Sequence, residues 1–136
     1  MRAFVKKHRK HAAVLGCIAM LVALVEAWSA AAPLRGQMAA RFDLPQGRCR
    51  ILTYGLPPSW LPEYAGLLKE RYGVEVHPVA GCIVSKSLSS YVDNYDAVSA
   101  AAANHKYGHD IFKECSEDAR KSTPGPDGVS LKAREP

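Results

Sequence analysis

Residues Ala12 to Val25 form an uninterrupted apolar run of 14, and no other feature constrains the organisation of this chain as strongly. Arg2, Lys6, Lys7, Arg9 and Lys10 precede the run; Ala27, Ser29, Ala30, Ala31, Ala32 and Pro33 follow it. A basic flank, an apolar centre and a small-residue exit make the pattern of a secretory signal. Ser29 and Ala31 supply the small residues for cleavage between Ala31 and Ala32. The same stretch can be read as an uncleaved anchor, a helix over residues 12–32 long enough to span roughly 30 Å. Glu26 opposes that reading, because a carboxylate well inside the bilayer costs about as much as the Leu, Ile and Val residues return, about 3 kcal/mol. Both readings put the basic end inside and everything after Pro33 in an extracytoplasmic compartment.

The net charge of +5 reflects this flank. From Pro33 onward 13 Lys/Arg oppose 12 Asp/Glu, a net charge of +1. No basic stripe interleaved with aromatics remains, so a nucleic-acid partner is not expected.

The rest of the chain divides by composition. Residues 33–48 carry Pro33, Gly36, Pro45 and Gly47 and read as a linker. Residues 49–121 read as a small exported α+β domain. Residues 122–136, with Pro124-Gly125-Pro126-Asp127-Gly128, have no packing pattern and read as a disordered tail. Only roughly 75–90 residues remain to build a core, few enough for one crosslink to matter.

Within that domain the order is β-α-β-α-α. Cys49 to Tyr54 is rich in β-favouring residues and stops at Gly55. After Leu56-Pro57-Pro58, Ser59 can cap a helix running to Tyr72, with Trp60, Tyr64, Leu67, Leu68 and Arg71 at helical spacing and Gly73 as its stop. Val74-Glu75-Val76-His77 alternates as a strand, and Pro78 confines it to an edge. Strand, helix, strand with short links predicts parallel pairing; a hairpin about Ala80-Gly81 is the alternative. Ser85 or Ser87 can cap a second helix whose apolar face is Leu88, Tyr91, Val92, Tyr95, Val98, Ala102 and His105, ending or kinking at Gly108. Asp110 can cap a third, with Ile111, Phe112, Cys115 and Ala119 inward.

Three cysteines lie outside the apolar run: Cys49, Cys82 and Cys115. An oxidising compartment favours one disulfide and one thiol left over. In a parallel unit Cys49 and Cys82 sit at opposite ends of adjacent strands, on the order of 15–20 Å apart, whereas a disulfide needs Cα atoms within about 7 Å. Cys82–Cys115 is therefore the preferred structural pair, worth roughly 3–4 kcal/mol by loop closure. Cys49 paired with either of the others, or no disulfide at all, remains open.

No stretch carries a specific catalytic, nucleotide-binding or metal signature, and no cofactor is expected. His105 and His109 stand at i, i+4 with Cys115 beyond, but Gly108 falls between them and surface histidines near a helix end are the plainer reading. Asp93 and Asp96 lie off the apolar face beside Asn94 and read as solvated surface rather than paired acid–base groups. Ser85, Ser87, Ser89 and Ser90 form no nucleophile elbow. Tyr54, Trp60, Tyr64, Tyr72, Tyr91 and Tyr95 read as a core whose hydroxyls reach the rim. The sequence thus points to an exported or membrane-tethered, non-enzymatic cell-envelope interaction module with an unidentified protein partner. A thiol-redox or metal-handling protein using Cys82 and Cys115 with His105 and His109 is the second expectation.

Overall fold

A computed structural model of the protein describes residues 2–123. In those residues the chain is a mixed helix–strand fold with five α-helices and a two-stranded parallel sheet. The order is α1 (Arg2–Ala30), α2 (Ala32–Asp43), a short 3-10 turn (Leu44–Gln46), β1 (Arg50–Tyr54), α3 (Leu61–Tyr72), β2 (Glu75–Ala80), α4 (Lys86–Tyr107) and α5 (Ile111–Ser122). Two compact units result, Met1–Ala32 and a second that begins at Pro33.

The first unit is α1. Its apolar side chains from Val14 to Val25 are exposed, as is Trp28. Among the described residues no single helix is long and apolar enough to cross a membrane. Of the expected tail, Ser122 closes α5 and Thr123 is its cap; 124–136 lie outside the described residues.

In the second unit β1 and β2 pair in parallel, with Arg50 opposite Glu75, Ile51 opposite Val76 and Leu52 opposite His77. The two-stranded sheet leaves residues 82–84 outside any strand, so the hairpin about Ala80-Gly81 does not form. The parallel register leaves Cys49 and Cys82 beyond opposite ends of the sheet. Adjacent β1 residues serve opposite faces, as strand geometry requires. Ile51 packs against Leu68, Val74, Ala103, Ile111 and Cys115, the core shared with α3 and α5. Leu52 is buried with Ala40, Val92 and Tyr95, the core shared with α2 and α4.

The segment read as a linker is helical over residues 33–43 and belongs to this second core. Gly36 lets α2 approach α4 closely: a Cβ there would lie 2.2 Å from the Tyr91 carbonyl oxygen. Gln37 Nε2 donates to Asn94 Oδ1 at 2.9 Å, and the Tyr95 hydroxyl donates to Asp43 Oδ2 at 2.9 Å. Gly36 reads in sequence as punctuation, yet its role is to be small at a helix crossing. The outward face of α2 carries Leu34, Met38 and Phe42, all exposed.

Helix boundaries follow the capping chemistry. Ser85 Oγ accepts from Leu88 N–H and starts α4; Asp110 accepts from Phe112 and Lys113 N–H and starts α5. Gly73 ends α3 at φ +68°, where its N–H donates to the Lys69 carbonyl and the Val74 N–H to the Leu68 carbonyl. Ser59 does not cap α3, which begins two residues later behind Trp60. Gly108 terminates α4 rather than kinking it. Arg71, expected on the inner face of α3, is exposed and pairs with Glu114 and Asp118 of α5 at 3.3 and 2.8 Å. Beside that guanidinium the Asp118 carboxyl lies below its ordinary value.

Glu75 N–H donates to the Cys49 carbonyl at 3.0 Å. Two-residue alternation from that bond turns the amide positions of Val76 and Pro78 to the outer edge of β2. Pro78 therefore removes no ladder bond, and the strand continues to Ala80 past a register irregularity.

Candidate functional site

Parallel strands aligned by a crossover helix leave an opening beyond their carboxyl ends, and ligands of α/β sheets favour that position. Here the opening is a cleft of about 690 Å³. The ends of both strands form its base through Thr53, Tyr54, Pro78 and Ala80. Pro57, Pro58, Trp60 and Tyr64 line it from the loop and first turns of α3. Phe112, Lys113 and Ser116 come from α5, with Asp110 at its cap, and Asp96 comes from α4. A second hollow of about 430 Å³ shares Pro57, Pro58, Leu61 and Pro78, so the Pro57-Pro58 segment acts as a wall between the two. Proline fixes φ, which stiffens that wall.

Asp96 is the most unusual group in the cleft. It is half-buried, and its Oδ1 accepts the main-chain N–H of Leu52 at 2.8 Å. That N–H points away from β2, so the carboxylate satisfies an open edge of β1. Burial pushes the Asp96 carboxyl up to about 6, with the Leu52 hydrogen bond opposing and the neighbouring Asp93 charge assisting. No ion pair with Asp96 occurs among the described residues. Asp93, by contrast, is exposed, and only the Tyr54 hydroxyl approaches it, at 3.5 Å.

Sequence reasoning placed both carboxylates on the solvated side of their helix. The face of α4 that is actually buried carries Val92, Tyr95, Ser99 and Ala103. It keeps Val92 and Tyr95 of the expected Leu88, Tyr91, Val92, Tyr95, Val98, Ala102 and His105 face, but beyond them the buried positions are Ser99 and Ala103, one residue on from Val98 and Ala102. Asp96 lies four residues after Val92 and three before Ser99, which puts it at the border of the buried stripe. The small residues Ser99 and Ala103 were the available signal, because close packing selects small side chains as readily as apolar ones.

Tyr64 adds a hydroxyl. Burial above all, with the ionisable groups of Cys115, Asp110 and Asp96 adding to it, pushes it up to about 12, so it is neutral at physiological pH. Its ring meets Trp60 edge to face at 5.6 Å. No histidine or cysteine lines the cleft. Ser116 Oγ donates to the Lys113 carbonyl one turn earlier, at 2.9 Å, so its proton is held locally. The lining therefore offers an apolar, aromatic wall with carboxylates and a phenol, and no nucleophile paired with a base.

The other residues singled out by sequence are scattered. Cys82 is exposed beyond the end of β2, while Cys115 is fully buried in α5, and both are free thiols, as are Cys17 and Cys49. Burial pushes the thiols of Cys49 and Cys115 up, away from nucleophilic thiolate character. His105 is exposed on α4. His109 sits past Gly108, its Nε2 3.3 Å from the Tyr72 hydroxyl and 2.9 Å from Glu114. No group of three metal-capable His, Cys, Asp or Glu side chains occurs among the described residues. Ser85 caps a helix, and Ser89 Oγ donates back to the Lys86 carbonyl. No family model matches the chain, and neither a curated protein nor a solved structure is detectably similar to it.

Proposed function

We propose that this protein is an exported or membrane-tethered, non-enzymatic interaction module of the cell envelope whose binding site is the cleft at the carboxyl ends of β1 and β2. The observation that carries the reading is the cleft itself: about 690 Å³, walled by Pro57, Trp60, Tyr64 and Phe112, with Asp96 in its lining. Its size falls within the range of small-molecule sites, and its mix of apolar walls with a few convergent polar groups is what such sites use. Support for binding rather than turnover comes from the lining, which pairs no nucleophile with a general base. Export rests on the basic flank and the apolar run of residues 12–25. Cleavage after Ala31 releases the domain; retention of residues 12–32 leaves it held at the membrane.

Two measurements test this. The first is protease access to the domain in intact spheroplasts, with N-terminal sequencing of the recovered protein. Digestion from outside, with Ala32 or Met1 as first residue, fits release or tethering respectively. Full protection until lysis sinks export. The second is amide shift mapping with a fragment library. Shifts gathered at Leu52, Thr53, Phe112 and Lys113 fit the assigned site, and shifts confined to other surfaces do not.

A further inference from the structure

The chemistry of the cleft selects among ligands by charge. Two of its lining side chains, Asp96 and Asp110, are carboxylates, and one, Lys113, is basic. Asp110 Oδ1 is engaged as the cap of α5, accepting from Phe112 N–H at 3.1 Å and Lys113 N–H at 3.0 Å. Asp96 Oδ1 is engaged by Leu52 N–H. Neither carboxylate forms an ion pair among the described residues. Lys113 is exposed and is not paired with either one. Tyr64 lines the same cleft as both carboxylates.

A partly desolvated carboxylate without a cation is an unmet electrostatic demand, and a cation arriving with its own apolar body meets it while burying the aromatic wall. An anion would face two carboxylates, with Lys113 alone in the lining to answer its charge. The ring of Trp60 already carries the Arg120 guanidinium at 4.8 Å from its centroid, so the carboxylates and Tyr64, more than the indole, set the preference. The cleft volume accommodates a whole small molecule.

We infer that the cleft binds a small amphipathic organic cation, a quaternary or protonated amine on an apolar body, with its charge answered by the cleft carboxylates Asp96 and Asp110. This rests on the cleft being the interaction site.

The test uses the full chain in non-ionic detergent micelles and three probes of one shape: benzyltrimethylammonium, its uncharged isostere neopentylbenzene, and phenylacetate. Amide shifts are followed for Leu52, Thr53, Phe112 and Lys113. The cation should shift them saturably, at least ten-fold more tightly than the uncharged probe, with phenylacetate weakest. In Asp96→Asn, which keeps an acceptor for Leu52 N–H, affinity for the cation should fall at least ten-fold while neopentylbenzene is unaffected. Asp110→Asn, which keeps the helix cap, should weaken the cation in the same selective way. If the uncharged probe or the anion binds as well as the cation, or if both variants bind the cation like the parent, the charge assignment is overturned while the cleft remains the site. If no probe moves any cleft amide, the cleft reading itself is overturned. The comparison of probes on the parent chain needs no variant to fold.

Discussion

Leu52 N–H donates to Asp96 Oδ1 at 2.8 Å, joining the open edge of β1 to the middle of α4. Helix α4 is thereby locked against the strand at one point that is neither apolar packing nor sheet ladder. Because the acceptor is a carboxylate pushed up to about 6 from an ordinary 3.8, the bond carries a pH signature. The folded chain holds the Asp96 proton more tightly than the unfolded chain. Stability contributed through this group is therefore greatest at or below about pH 4 and declines as pH rises to about 6, levelling off above it. After allowance for solvent screening the change is about 1–2 kcal/mol. Asp96→Asn should flatten the dependence of melting temperature on pH between 4 and 6.5 and leave the variant at least as stable as the parent at pH 7. An unchanged slope would show that another group is responsible.

Gly36 and Gly66 should respond to alanine with opposite signs. At Gly36 the new methyl meets the Tyr91 carbonyl, so α2 must shift, at a cost of roughly 1–3 kcal/mol. At Gly66, inside α3, a Cβ meets nothing within 4 Å, and the gain in helix propensity should stabilise by about 0.5–1 kcal/mol. Urea unfolding of both variants checks the pair. Equal effects would contradict the close crossing of α2 and α4.

Tyr95→Phe removes only the hydroxyl that donates to Asp43 Oδ2. Asp43 keeps Arg48, at 3.6 Å, as its remaining partner. A hydrogen bond to a charged group of this kind contributes about 1.5–3 kcal/mol. The loss should appear as a lower urea midpoint at constant m-value. A variant as stable as the parent would mean that this bond adds nothing to the hold on α2, which would then rest on packing and the Gln37–Asn94 hydrogen bond.

The cysteines should separate by accessibility. Of the three cysteines beyond α1, in brief maleimide labelling of the folded chain followed by peptide mapping, Cys82 should be modified first, Cys49 slowly and Cys115 only after denaturation. Cys115 is 0% exposed and its thiol is pushed up by burial. Recovery of a crosslinked Cys82–Cys115 peptide would sink this ordering and restore the disulfide expected from sequence.

Local chemistry made much of this fold legible. Ser85, Asp110, Gly73 and Gly108 mark helix ends because caps and left-handed stops need those side chains at those places. The parallel pairing followed from the lengths of the links around α3. What stayed hidden depends on which elements meet. Gly36 looks like a linker residue until α4 lies against it. Asp96 looks solvated until the packing of Ser99 and Ala103 rotates the helix. The aromatic set was read as core, yet Trp60 and Tyr64 also wall a cleft. Nothing in their spacing shows that Pro57-Pro58, Phe112 and Asp110 close around them. Sites built from five separate elements are not visible in any one of them.

Pro78, seated in β2 with its nitrogen turned outward, has a consequence for how copies of this chain meet. A small domain with a two-stranded sheet presents a free strand margin on which a second extended chain could template itself. The outer rim of β2 lacks an amide donor at Pro78, and the Val79 irregularity follows at once. An incoming strand would find its ladder interrupted after very few rungs. The same residue that limits the sheet to two strands thereby guards a crowded population of these domains against edge-to-edge fibril growth.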